Sequence, residues 1–171
     1  MGDPRRLKKK YKKPSHPFQK QRIEEELRYL GEYGLRNKRE FWKHRTQLGN
    51  YRRTARKIRT LPPERQKKEL RVLMDKLIRL GIIEKNAEFE DLLLITVDDI
   101  LNRRLQTLVF KKGLANSIYQ ARQFITHRHI EVNGKRIDSP SYIVKKDEEE
   151  TLKFVSSSPF LGREEQPVSD Q

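Results

Sequence analysis

Four residues suited to binding anions surround the predicted start of a short helix. Lys111 and Lys112 precede this helix, Ser117 can cap it, and Arg122 lies one turn beyond its start. The free N–H groups and positive dipole end of a helix attract anions, and lysine and arginine bind phosphate oxygens. The pattern therefore predicts a compact anion-binding corner.

A second group of cations follows Asn37, which can cap a longer helix, with Glu40 three residues on as its capping box. Glu40 is almost the only acidic residue along this helix, so i,i+4 pairing cannot neutralise its cations. Phosphates would neutralise them, and arginine would do so with bidentate geometry. The candidate phosphate-binding residues of this helix are Lys38, Arg39, Lys43, Arg45, Arg52, Arg53 and Arg56.

Two aromatic residues of the same helix leave two interpretations open. Trp42 and Tyr51 could stack on bases of a nucleic acid. Aromatic residues on one face of a helix also commonly belong to a protein core. The sequence alone does not decide between stacking and packing.

Catalytic and metal-binding patterns are not found in the sequence. It contains no Gly-rich phosphate loop, no G-x-S-x-G and no H-E-x-x-H motif. It has no cysteine, and His127 and His129 would point to opposite faces if they lie in a strand. The acidic pairs Asp98-Asp99 and Asp147–Glu150 suit a helix start and a turn. We therefore predict no enzyme activity, no metal and no cofactor.

Composition narrows the class of protein. The chain has 171 residues, 34% of them hydrophobic and 37% charged, with a net charge of +15. This length allows one modest domain or two small ones, and the low apolar content predicts a small core. The cationic excess suggests a polyanionic partner. No apolar run is long enough to span a membrane, and no secretory signal is recognisable, so we expect an intracellular protein.

The positive charge is concentrated in two regions. Residues 1–60 carry a net charge of +14 and residues 101–139 carry +6, whereas residues 61–100 and 140–171 are slightly acidic. Residues 1–19 combine the run Lys8–Lys13 with three prolines and predict an irregular arm that charge repulsion keeps extended in isolation. We favour an arm that becomes ordered on nucleic acid over a solvating tail or a nuclear-import signal.

Helices are predicted for residues 20–97. Ile23, Leu27 and Leu30 share one helical face, and Gly31 and Gly34 end that helix. After the Asn37 helix, Pro62-Pro63 begins another, which Gly81 ends with a Schellman contact from Ile82.

Helices give way to strands within residues 98–155. Thr96 caps a helix that is predicted to run through Ile100 and Val109 and to stop at residues 111–113. Ser117 caps a second helix, with Gln120 completing its box. Asn133-Gly134 between alternating residues predicts a type I′ hairpin. Ile143-Val144 and Leu152–Val155 supply further strands. The predicted fold class is α+β, with two short helices packed on a small, strongly bent antiparallel sheet.

These stretches also resemble a known family. Residues 103–106, 110–115, 117–125 and 127–142 are similar to the S-four RNA-binding domain. Residues 34–42 and 158–160 resemble the archaeal and eukaryotic branch of the small-subunit ribosomal protein S-four family. The resemblance implies a basic arm at 1–19, a helical amino-terminal domain at 20–97, an S-four RNA-binding domain at 98–155 and a tail at 156–171.

The resemblance implies a ribosomal function. It predicts direct binding to small-subunit ribosomal RNA early in assembly, and a place near the path by which messenger RNA enters, beside other small-subunit proteins. It also predicts a contribution to translational accuracy and a cytoplasmic location, with no membrane or small-molecule partner. Some relatives carry an amino-terminal cysteine zinc site, which this chain lacks, and Arg163–Gln166 forms an acidic end where some relatives have a basic tail.

Phosphate and sugar contacts are expected to dominate RNA affinity. The candidate residues of the S-four domain are Arg104, Lys111, Lys112, Ser117, Gln120, Arg122, Gln123, His127, Arg128 and Lys135.

Two other functions compete with the ribosomal one. S-four-like modules also occur on RNA-modifying enzymes and on an aminoacyl-tRNA synthetase, but no catalytic domain accompanies the module here. A free RNA chaperone or translational regulator would present the same surface. The long basic amino-terminal region favours a permanent ribosomal component, because without RNA it would repel itself.

Overall fold

The computed structural model describes residues 9–161 and confirms the α+β fold class. The helices and strands of this range are α1 (Lys20–Glu32), α2 (Lys38–Arg59), α3 (Pro63–Arg79), α4 (Asp91–Leu94), α5 (Val97–Asn102), α6 (Leu105–Lys111), α7 (Ile118–Thr126), β1 (Ile130–Val132), β2 (Lys135–Arg136), α8 (Lys146–Glu149) and β3 (Lys153–Phe154).

The first two helices begin and end close to where the sequence predicts. Gly34 adopts φ +56°, and the next backbone N–H, from Leu35, donates to the Leu30 carbonyl oxygen at 3.0 Å. Asn37 Oδ1 accepts a hydrogen bond from the Glu40 backbone N–H at 3.2 Å. The Glu40 carboxylate does not return to Asn37, however, so only half of the predicted capping box forms.

The predicted beginning and end of α3 are both confirmed. Pro63 is its first residue, and Gly81 follows it with φ +67°. The Ile82 N–H donates to the Leu77 carbonyl at 3.1 Å and the Gly81 N–H to the Ile78 carbonyl at 2.8 Å, which is the Schellman pattern.

The prediction of one continuous helix between the Thr96 cap and residues 111–113 is wrong. This stretch is divided into α5 and α6, because Arg103 and Arg104 pair with the chain that leads to α8. The Val144 N–H donates to the Arg103 carbonyl at 2.9 Å, and Arg104 forms a bridge with Ile143. The sequence suggested that Ile143 and Val144 form a strand of the sheet. In the structure they lie along the break between α5 and α6 instead.

The small sheet is antiparallel with strand order β2-β1-β3. Val132 pairs with Lys135, and the two residues between them, Asn133 and Gly134, have φ of +50° and +71°. This conformation confirms the predicted two-residue hairpin turn.

The buried apolar residues of the described chain form three modest clusters rather than one large core. The largest lies between α6, α7 and the sheet, and includes Val109, Ile125 and Ile130. A second joins α2, α3 and the α4–α5 region, and a small third surrounds Phe41 and Leu101. This division agrees with the low apolar content of the chain.

One carboxylate connects the helical region to the module that begins at α6. Glu40 of α2 accepts from Arg104 Nη2 at 3.0 Å and from Arg122 Nη2 at 2.7 Å. The Arg104 side chain has no exposed surface, whereas 22% of the Arg122 side chain is exposed. Burial raises the pKa of Glu40, but the hydrogen bonds from Arg122 and Arg104 outweigh it and hold the pKa below its ordinary value.

Backbone contacts complete this junction. Gln106 Nε2 donates to the carbonyl oxygens of Gly34 and Ile118, each at 3.0 Å. A Cβ at position 34 would lie 2.7 Å from Gln106 Nε2 and 2.9 Å from Ile118 Cγ2, and the φ of +56° is one that other residues rarely adopt, so this position favours glycine.

His44 lies beside this junction as a neutral ring. Its Nε2 atom lies 2.9 Å from Arg104 Nη1 and, because arginine can only donate, accepts that hydrogen bond. Burial, with the nearby charges of Arg104 and Lys43, lowers the pKa of His44 to about 4.

We predict that Glu40→Gln lowers the free energy of unfolding by about 3 kcal/mol, because it leaves the buried Arg104 charge without its partner. Urea unfolding at pH 7 measures this change. Glu64→Gln is the matched control, since Glu64 also lies in the first turn of a helix but is exposed and forms no ion pair among residues 9–161. Equal losses in the two variants would contradict the prediction.

We also predict that stability falls as the pH is lowered from 6.5 towards 4. Unfolded His44, with its ordinary pKa of 6.5, takes up a proton in this range that folded His44 does not. Each pH unit costs up to about 1.4 kcal/mol from this residue. His16→Gln, at an exposed position, should leave this slope unchanged. A His44 ring that NMR showed to be charged in the folded chain at pH 6 would contradict the prediction.

Candidate RNA-binding surface

The described part of the basic arm, residues 9–19, lies against α1 and α2. The Lys12 N–H donates to Thr46 Oγ1 at 3.0 Å, and the Tyr11 ring lies 6.1 Å from the Trp42 ring. Arg22 Nη2 donates to the carbonyl oxygens of His16 and Pro17, each at 2.8 Å. This segment has no helix or strand, as predicted, and these bonds dock it against the two helices. Residues 1–8 of the arm lie outside the described range.

Glu26 anchors the helix face on which the arm rests. Its carboxylate is 1% exposed, and Oε1 accepts from Trp42 Nε1 at 3.0 Å and from Arg22 Nη1 at 2.6 Å. Lys38 Nζ lies 3.4 Å from Oε2. Burial raises the pKa of Glu26, but the hydrogen bonds from Trp42, Arg22 and Lys38 outweigh it and lower the pKa.

The two aromatic residues of α2 contact protein groups, which favours packing over base stacking. Trp42 is held by Glu26 and the arm. The Tyr51 hydroxyl accepts from Gln47 Nε2 at 2.8 Å, and Lys76 Nζ lies 5.7 Å from the centre of its ring.

Between the arm and α2 lies a cavity of about 370 Å³, here called the arm cavity. No acidic residue lines it. Its cationic lining residues are Lys12, Lys13, Arg22, Arg45 and Arg53. Only Arg22 forms an ion pair with a carboxylate among residues 9–161.

Helical spacing explains how α2 forms one wall of the arm cavity. Trp42, Arg45, Gly49 and Arg53 recur at three- and four-residue intervals and so lie on one face. The opposite face is buried in the hydrophobic clusters, which fixes the rotation of the helix. A Cβ at Gly49 would meet no atom within 4 Å, so the middle of the wall is open.

The predicted RNA-binding residues of α2 fall into two groups. Lys38 pairs with Glu26, and Arg52 Nη2 donates to the Ile95 carbonyl at 2.6 Å, so both side chains have structural partners. The others are exposed and form no ion pair among residues 9–161, although Arg56 Nε donates to the Arg52 carbonyl of its own helix at 3.3 Å; they are Arg39, Lys43, Arg45, Arg53 and Arg56.

The cations of the anion-binding corner predicted around α7 have partners within the protein, and anion binding at this corner stays a prediction. Arg122 turns to Glu40, Lys112 Nζ donates to the Glu149 carbonyl, and Lys111 Nζ donates to Asn102 Oδ1 at 3.1 Å. The three cations thus bond to three different acceptors within the protein. Long-range acceptors of this kind carry no signal in the local sequence.

The sequence predicts RNA contact for Arg104, but its side chain has no accessible surface. In this conformation it cannot reach a phosphate, and its guanidinium holds the junction between α2 and α6. Arg122, which is partly exposed, also takes part in this junction.

The remaining predicted residues of the module lie at or near the surface. Ser117 Oγ accepts from the Gln120 N–H at 3.2 Å, while Gln120 Oε1 accepts from the Asn116 N–H instead of closing a box on Ser117. Arg128 adopts φ +61° after α7 and pairs with Asp138 at 2.9 Å. Three exposed residues complete the set, namely Gln123, His127 and Lys135.

Sequence reasoning did not single out Lys12 and Lys13 as site residues. Both belong to the basic run of the arm, but only the docking of the arm shows that they line one cavity with Arg45 and Arg53. The charge of the run was the only signal available for them.

Other kinds of site were also sought within residues 9–161. No group of three or more potential metal ligands from histidine, cysteine, aspartate and glutamate occurs there. His129 Nδ1 lies 3.3 Å from Ser158 Oγ, and its ring centre is 6.3 Å from that of His127. No helix in this range has the length and hydropathy needed to span a membrane.

Comparison with known proteins shows which family the chain resembles. A family model for the S4 domain matches residues 103–150. Over 166 residues the chain is 50% identical to small ribosomal subunit protein uS4 of Ignicoccus hospitalis, covering 97% of this chain and 100% of that protein. It is 48% identical to the proteins of the same name from Hyperthermus butylicus and Saccharolobus solfataricus, with 95% and 100% of this chain covered and 93% and 94% of theirs. The chain therefore belongs to the small ribosomal subunit protein uS4 family.

Proposed function

We propose that this chain is a structural constituent of the small ribosomal subunit and binds small-subunit ribosomal RNA directly. The observation that carries the proposal is the arm cavity, where Lys12, Lys13, Arg45 and Arg53 face a space with no acidic residue. Phosphate groups of RNA would supply the missing negative charge.

The family supports the choice of partner. The relatives are named as small ribosomal subunit proteins, not as enzymes, and an S4 domain occupies residues 103–150 of this chain. Surface cations of α2 and of the module would contact phosphates and sugars, with little reading of base edges. The cationic excess in both regions favours a binding surface that extends beyond the module.

Finer parts of the proposal follow the sequence resemblance. The chain would bind early in subunit assembly, lie near the path by which messenger RNA enters, beside other small-subunit proteins, and contribute to translational accuracy. Its location would be the cytoplasm, as part of the small subunit. Binding to bare ribosomal RNA before other proteins are added would support the early step.

We predict that Arg45→Gln with Arg53→Gln weakens binding to small-subunit ribosomal RNA and lowers the salt slope of log K by about one for each phosphate that the variant no longer neutralises. Titrations at several salt concentrations measure both quantities. The matched control is Lys67→Gln with Arg71→Gln, which removes two exposed cations from α3 and leaves the same net charge. Equal slopes in the two double variants would contradict a role for the arm cavity.

We also predict that the chain sediments with small subunits in cell extracts, at one copy per subunit. A permanent component is expected to behave in this way, because its basic arm and α2 need RNA as a counterion. A mostly free pool would instead indicate an RNA chaperone or a translational regulator.

A further inference from the structure

We propose that a cleft between α7 and the turn after α1 binds an unpaired nucleobase of ribosomal RNA, with Tyr119 as its stacking surface. This inference rests on the proposed function and adds recognition of a base to that of phosphates. The cleft, here called the seam cleft, has a volume of about 550 Å³. Arg36, Tyr119, Arg122 and Gln123 line it, and no acidic residue does.

Tyr119 is unusual for an aromatic residue of α7. It is 62% exposed, whereas Ile118, Phe124 and Ile125 of the same helix are buried. Among residues 9–161 the Tyr119 hydroxyl has no hydrogen-bond partner, and its ring contacts no other aromatic ring or cation. Packing therefore does not explain the ring, and a free aromatic face is a surface on which RNA bases stack.

Gln123 follows Tyr119 by four residues, so the two side chains are neighbours on the helix surface. Gln123 is exposed and its amide has no partner among the described residues. An amide offers both donors and an acceptor, which is what the edge of a base requires. A base stacked on Tyr119 would thus find a hydrogen-bonding group beside it.

Two arginines complete the seam cleft. Arg122 is fixed by Glu40 and by the Gly34 carbonyl, to which its Nη1 donates at 3.2 Å. Arg36 is exposed and forms no ion pair within residues 9–161. Arg36 can therefore bind the phosphate of the nucleotide whose base enters the cleft.

The exposed ring of Tyr119, the amide of Gln123 and the cation of Arg36 together favour RNA over a protein partner. An apolar protein segment would cover Tyr119 but leave Arg36 without a counterion. A single-stranded nucleotide satisfies the ring, the amide and the cation together, and the volume lies in the roughly 300–1,000 Å³ range of small-ligand pockets.

The test uses the full-length chain and its small-subunit ribosomal RNA. We expect Tyr119→Ala to weaken binding about tenfold, the effect of one stacked base, without changing the salt slope. Tyr119→Phe keeps the ring and should bind as tightly as the wild type. Arg36→Gln should instead lower the salt slope by about one, because it removes a phosphate contact. Val72→Ala, at an exposed apolar position of α3, is the control and should change neither quantity.

Chemical probing of the RNA bases identifies the nucleotide. We expect one unpaired base to be protected by the wild type and by Tyr119→Phe, and to become reactive with Tyr119→Ala. Unchanged affinity and unchanged protection with Tyr119→Ala would overturn the proposal that the seam cleft binds a base. This is also the result expected if Tyr119 contacts a protein neighbour instead of RNA. In that case the proposed function would stand, whereas a wild-type chain that failed to bind the RNA at all would overturn both.

Discussion

The shared carboxylate of Glu40 determines how the two halves of this protein meet. It accepts hydrogen bonds from Arg104 and Arg122 and so ties the start of α2 to α6 and α7. A buried arginine is tolerated only when its charge is paired, and Arg104 has no exposed surface at all. The position of α2 relative to the module thus depends on this group, and the arm cavity and the seam cleft are both built on elements that it holds. His44 contributes by remaining neutral beside Arg104, since a further positive charge there would oppose the arrangement.

Two classes of cation can be distinguished around the arm and the junction within residues 9–161. Glu26 and Glu40 are buried or half-buried, and between them they pair with Arg22, Lys38, Arg104 and Arg122. These four side chains hold the structure together. The cations of the arm cavity other than Arg22 have no such partner among residues 9–161, so an external polyanion is left to neutralise them. Position relative to a few buried acids, rather than charge alone, decides which of these cations remain free to bind a polyanion.

Local signals in the sequence were sufficient for most elements. Asn37, Pro63, Gly81 and the Asn133-Gly134 turn act through neighbouring backbone groups, so their effects could be predicted and are confirmed. Long-range partners could not be predicted in this way. The break between α5 and α6 depends on chain some forty residues away, and the inward turn of Arg122 depends on an acid 82 residues earlier. For the same reason, only the structure separates Lys38 and Arg52, which have protein partners, from the exposed candidates of α2, and the buried Arg104 from exposed residues of the module such as Gln123.

The arm cavity also has an electrostatic cost in the absence of RNA. Docking of the arm places Lys12 and Lys13 around the same cavity as Arg45 and Arg53 of α2, and like charges that line one cavity repel each other. The contacts that oppose this repulsion are few: the Lys12 N–H bond to Thr46, the ring contact of Tyr11 with Trp42, and the bonds of Arg22 to the arm backbone. Phosphates bound in the cavity would change repulsion into attraction, and binding to the folded form alone stabilises that form. The docked arm is therefore the part of the described structure that should gain the most stability from RNA.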